Sequence, residues 1–162
     1  MSASIDPQLP NQEPDAKLLR EIKKDSRHLT DLRIAIGAFI DNASLVRDHR
    51  QRFLELVVRL RDQLAKHFAL KEANGYLEES ADEVPRLAGS IEYLRIQHTA
   101  LFDMISEIAE TAQDLSKHAI SIDQLNAILE SLRAFDFALQ QHEQNESQIL
   151  YEATDLDLGG EG

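Results

Sequence analysis

Cysteine is absent from the 162 residues. Disulfides, thiolate metal ligands and cysteine nucleophiles are thereby excluded, while the compartment is left open because a cytosolic protein needs no cysteine. Long apolar runs are missing as well, and no window approaches the roughly eighteen consecutive apolar residues of a membrane-spanning helix. The opening MSASIDPQLPNQEPD is proline-broken and acidic where a secretory signal has a basic start and an apolar stretch. A soluble, cytoplasmic protein that enters no membrane is the expectation. Positive charge is scarce: 17 Lys and Arg stand against 29 Asp and Glu, a net charge of -12, which argues against nonspecific binding to nucleic acid or anionic lipid. No Ser-His-Asp grouping, glycine-rich phosphate loop or zinc-peptidase motif is present, so the expected role is not enzymatic.

Strand alternation is lacking too, and what fills the chain instead is helical in character. Residues 1–14 read as a flexible lead-in and 154–162 as an acidic, glycine-ended tail, leaving one domain over 15–153. Inside it, glycine and proline are few and Leu, Ala, Arg, Glu and Gln dominate. Three interruptions divide this stretch. DNAS at 41–44 groups residues that favour caps and turns; SADEVP at 80–85 sets Ser80 and Glu83 at capping-box spacing before Pro85; KHAISID at 117–123 leads into Ser121 and Gln124 at the same spacing. The predicted helices are 15–41, 45–79, 83–114 and 122–153. Short connections between long helices make antiparallel neighbours, so the fold class is all-α, an antiparallel up-down-up-down four-helix bundle.

Each helix carries an apolar seam, and the seams carry histidines. The second helix reads Phe53, Val57, Leu60, Leu64, His67, Lys71; the third Leu87, Ile91, Leu94, His98, Leu101, Ile105, Ile108, Ala112; the fourth Leu125, Ile128, Leu132, Phe135, Leu139, His142, Glu146, Ile149. Steps of three and four define the core face of a bundled helix. The first helix is less regular, with Leu18, Ile22, Leu29, Leu32, Ile36 and Phe39 inward and His28 at the edge. A polar group left unsatisfied on such a face costs about 1 to 3 kcal/mol, so several at one depth suggest a site built into the core.

Depth follows from arithmetic, because residues that face each other across an antiparallel turn lie equally far from it. The midpoint of His67 and His98 falls between 82 and 83, and that of His98 and His142 at 120, both inside predicted turns. For His28 and His67 it falls between 47 and 48, just past DNAS, which implies a longer first connection. Four imidazoles thus share about one level. His49 is excluded from it, since eighteen helical residues separate it from His67, or ~27 Å. His118 lies in the third turn. Imidazoles and carboxylates directed inward from facing helices are how bundle cores hold iron or manganese.

HFALKE at 67–72, RIQHTALF at 95–102 and HEQNESQILYEA at 142–153, with His28 before them, resemble the hemerythrin-like family of HHE cation-binding domains. That family is marked by a first-helix His, an H-x-x-x-E motif, a lone His and a final H-x-x-x-E. The resemblance implies a non-haem di-iron cofactor, with dioxygen or iron sensing as the role. His28, His67, His98, His142 and Glu146 take its ligand positions. One of its two bridging carboxylates, however, falls at Lys71, an ammonium with three donors and no acceptor. Glu72 is adjacent but rotated by about 100° around the helix.

Two outcomes follow for Lys71. If it points inward, it repels a cation and pairs with Glu146 on the parallel helix, leaving a metal-free relic of the site; if it extends toward the bundle end, four imidazoles and Glu146 still suffice for one divalent ion. Glu143 is expected on the solvated side of its motif, and Tyr76 as a wedge near the second turn. Two other classes compete. A metal-free helical module would work through its outer surface with an unknown protein partner. A histidine phosphotransfer domain would expose its histidine and place lysine three residues on, whereas Lys71 follows His67 by four and the seam buries His67.

Overall fold

The computed structural model describes residues 16–73 and 85–159. Among them there is no strand. Helix α1 spans Ala16–Ile40, a short α2 Ala43–Asp48, α3 Arg50–Glu72, α4 Ala88–Ser116 and α5 Ile122–Gly159, with a 3₁₀ turn at Pro85–Leu87 before α4. The chain is all-α. No described helix is long and apolar enough to cross a membrane.

Helix ends fall where side chains can satisfy the backbone. Asn42 Oδ1 accepts the Leu45 N–H at 3.1 Å and starts α2, the capping expected of the DNAS segment. Before α5, Ser121 Oγ accepts the Gln124 N–H while Gln124 Oε1 accepts the Ser121 N–H, both at 3.1 Å, completing the reciprocal box that the spacing predicts. The Ser80 and Glu83 box and Tyr76 lie outside the described residues.

Boundaries differ from expectation in three places, one being the third predicted helix, which becomes α-helical at Ala88 and not at 83. The second predicted helix is broken at His49, which closes α2 with an N–H bond to the Leu45 carbonyl and opens α3 by accepting from Phe53, both at 3.0 Å. No glycine or proline marks that break. Helix α5 continues through 154–159 into the predicted tail, because DLDL contains no helix breaker and the first glycine is Gly159.

The four long helices pack in a closed ring, α1 on α3, α3 on α4, α4 on α5 and α5 back on α1, while α2 touches α1, α3 and α5. Inside runs one apolar core from Phe39, Val46, Phe53 and Leu125 to Leu29, Leu64, Leu101 and Leu139. Every apolar seam residue of α3 and α4 is buried, and in α5 all but the half-buried Ile149. Beyond Leu64 and Leu139 the same stripes turn polar. Asp25, His67, His98, His142 and Glu146 are the buried polar and charged residues of the described chain.

Candidate metal centre

The polar section begins with His98 on α4 and His142 on α5, whose rings meet edge to face with centroids 4.8 Å apart. Each imidazole is anchored through Nδ1. His98 Nδ1 lies 2.8 Å from Glu72 Oε1, and His142 Nδ1 lies 2.8 Å from Gln97 Oε1. Carboxylate and amide oxygens only accept, so Nδ1 is the donor in both contacts and the Nε2 lone pair is left facing inward. Both Nε2 atoms are buried and have no hydrogen-bond partner. Holding a ring by one nitrogen so that the other can bind a cation is the usual arrangement of a metal-ligating histidine.

Glu146 supplies the third atom, one turn after His142. Its Oε2 lies 3.4 Å from His142 Nε2, while its Oε1 accepts from Lys71 Nζ at 2.7 Å. His98, His142 and Glu146 therefore bring two nitrogen lone pairs and a carboxylate oxygen within 4.8 Å of one another, all buried. Lys71 satisfies one oxygen of Glu146, but no donor reaches either Nε2, and lone pairs so placed can accept a cation. The donor chemistry fits a divalent transition metal, since two imidazoles and one carboxylate are a set that iron takes.

Electrostatics favour the same protonation states. Burial lowers the His98 pKa and the neighbouring His142 lowers it further, outweighing the bond and charge of Glu72. The ring is held neutral, as a ligand requires. Burial works against ionisation of Glu146, yet the proximity of His142 and the charge and hydrogen bond of Lys71 hold its carboxyl down at about 2. Phe68 fixes the rings in place: it stacks on His98 at 4.0 Å and 11°, and meets His142 edge-on and His67 at a tilt.

His67 and His28 depart from the predicted ligand set. His67 is buried, but its Nδ1 faces Asp25 Oδ2 at 2.6 Å, and Asp25 Oδ1 accepts from Gln63. It belongs to a carboxylate–imidazole pair and not to the three-residue cluster. His28 is exposed and contributes nothing to the core. Its place on α1 is taken by Asp25, three residues earlier, because the inward face steps Ile22, Asp25, Leu29 while His28 is rotated about 100° from Leu29. The midpoint of Asp25 and His67 is 46, in α2, closer to the actual turn than the one His28 gives.

Lys71 points inward and pairs with Glu146, the course expected to leave a metal-free relic, yet the Nε2 atoms of His98 and His142 stay open beside that pair. Glu143 turns away from the cluster and accepts from Arg33 Nη1 at 3.0 Å, while Arg33 Nε donates to Asp136 at 2.9 Å, tying α1 to α5. Burial works against the Arg33 cation, yet its two carboxylate partners raise its pKa. Asp25, Gln97 and Phe68 were missed by sequence reasoning, and Glu72 was weighed there only as a neighbour of the missing bridging carboxylate. Asp25 alone left a signal there, since the α1 seam jumps seven residues from Ile22 to Leu29 and Asp25 fills the missing step.

The cluster's two helices are also where a family resemblance is found. Residues 89–162 match the family model described as Hemerythrin HHE cation binding domain. No curated protein and no solved structure matched the chain. The hemerythrin HHE match takes in His98, His142 and Glu146 and leaves α1 and α3 outside it. With that family as precedent, the cluster is one that could bind a metal ion, usually iron in hemerythrin HHE domains.

Proposed function

We propose that this protein is a hemerythrin-like iron-binding domain whose site has been reduced to a single metal ion, with oxygen or iron sensing as its role and no catalytic reaction of its own. The observation that carries the reading is the pair of buried, partnerless Nε2 atoms of His98 and His142 beside the Glu146 carboxylate. Iron held by His98, His142 and Glu146 would supply redox chemistry there, which suits oxygen or iron sensing. Glu72 and Gln97 hold the two rings in the tautomer that exposes Nε2; Phe68 keeps water from the stacked face of His98. Lys71 stands where the family has a bridging carboxylate. Its ammonium neutralises Glu146 and repels a second cation, and that is why one ion is proposed instead of two.

The up-down-up-down bundle belongs to the same reading. Its support lies in the pairings between helices: Arg33 reaches Glu143 while Arg133 reaches Asp41, so α1 and α5 run oppositely, and Arg50 at the start of α3 reaches the Leu115 carbonyl at the end of α4. A metal-free interaction module is the second reading, favoured by the Lys71–Glu146 pair, which satisfies one carboxylate oxygen without any ion.

Metal analysis of protein purified from iron-supplied cells, with an absorption spectrum of the oxidised form, separates these. The proposal expects about one iron per chain and no oxo-bridge band. Two irons with that band would restore an intact di-iron centre, and protein free of metal under these conditions would favour the interaction module.

A further inference from the structure

Outside the core, the face where α1 meets α3 holds a groove of about 590 Å³, within the ~300–1,000 Å³ range of small-molecule sites. Arg52, Arg59 and Lys66 line it from α3 at intervals of seven residues, which brings three cations onto one stripe. In a chain with net charge -12 such a stripe is unexpected. Acids do not cancel it. Asp62 also lines the groove, but pairs with Arg61 at 3.1 Å, and Arg52 reaches Glu55 only at 4.0 Å. Among the described residues, neither Arg59 nor Lys66 forms an ion pair, and Asp31 is the one lining acid without a cationic partner.

Leu32, Ala35 and Leu56 supply an apolar floor, so the groove offers two surfaces at once. We propose that it binds a small organic anion, a carboxylate or phosphate monoester carrying an apolar body, with Arg59 and Lys66 on the charged end and Leu32 and Leu56 against the body. Guanidinium and ammonium groups without internal partners lose no existing ion pair on engaging an anion, and charge-assisted bonds of this type are the strong ones. His28, exposed on the groove wall, has its place here and not at the metal cluster.

The groove also borders the core. Gln63 lines it and donates to Asp25, which in turn holds His67. Occupancy is therefore readable at the His67 ring, and the site depends on none of the residues in the metal cluster.

The test is a titration of the full chain with phenyl phosphate at low ionic strength, followed by nuclear magnetic resonance of the Gln63 side-chain amide and the His67 ring. Saturable shifts at both are expected, with affinity weakened at least about tenfold in an Arg59→Gln/Lys66→Gln double variant and unchanged in a Lys23→Gln/Lys24→Gln double variant of equal charge. Inorganic phosphate should bind more weakly than phenyl phosphate. Absence of saturation, equal weakening by the two double variants, or equal binding of inorganic phosphate would each overturn the proposal. Circular dichroism of both variants guards against loss of fold.

Discussion

In the half of the molecule built from α4 and α5, the inward polar residues are His98, His142 and Glu146, which direct two open nitrogens and a carboxylate at one point. In the half built from α1 and α3 the corresponding residues are Asp25, His67 and Lys71, each engaged by a neighbouring side chain. The apolar seams beneath both sets are equally buried. What differs is whether the polar groups satisfy one another. Asp25 and His67 satisfy each other and Lys71 satisfies one oxygen of Glu146 across the two halves, whereas the Nε2 atoms of His98 and His142 have no partner. The family match covers the first half only, so the change in chemistry coincides with the limit of the resemblance.

The comparison can be broken first at the core. Leu64 on α3 and Leu139 on α5 are both fully buried at 0 % exposure, so Leu64→Ala and Leu139→Ala should each destabilise the fold by about 3 kcal/mol in urea denaturation. A cost below about 1 kcal/mol for Leu64→Ala alone would mean that the α1–α3 half is loosely packed and that the halves differ in more than chemistry.

The next largest effect concerns ligands. His142→Ala should weaken Fe(II) binding at least about 100-fold, beyond the range seen when only an orienting partner is lost, while His28→Ala should leave it unchanged. Dialysis against buffered Fe(II) measures both. Comparable losses in the two variants would return α1 to the site.

A smaller effect is expected with pH. The Glu146 carboxyl is held at about 2 against its ordinary 4.5, so the folded chain binds this proton more weakly than the unfolded chain does. The resulting stabilisation is fully present above about 4.5 and is lost as the pH falls toward about 2. Glu146→Gln removes that contribution. Urea midpoints of the metal-free variant should therefore decline less steeply between about pH 5 and pH 3 than those of the unaltered chain. Parallel declines would mean that Glu146, with His142 and Lys71 beside it, contributes nothing to acid sensitivity.

Periodicity made the all-α class and the buried seams legible. The three-four steps of Phe53 to His67, Leu87 to Ala112 and Leu125 to Glu146 reappear as buried stripes, and the Ser121–Gln124 box reappears as two hydrogen bonds. Depth arithmetic brought His98 and His142 together and set Lys71 beside Glu146. It misled at His28 because an edge position on a helix is an angle of about 100° away from an inward one, and the depth test is blind to rotation. Orienting partners stayed hidden for a related reason. Glu72 and Gln97 sit off the seam on flexible side chains, so no pattern of inward positions announces them. The break at His49 has no glycine or proline to mark it; its one signal is the polar run RDHRQR at 47–52, whose Arg and Gln are themselves good helix formers.

The central claim is that Lys71, in place of a carboxylate, limits this site to one ion. Native mass spectrometry after anaerobic Fe(II) titration, run on the unaltered chain beside Lys71→Glu, tests it most directly. One ion bound to the unaltered chain and two to the variant is the predicted result; two ions on the unaltered chain, or none on it at saturating iron, would contradict it.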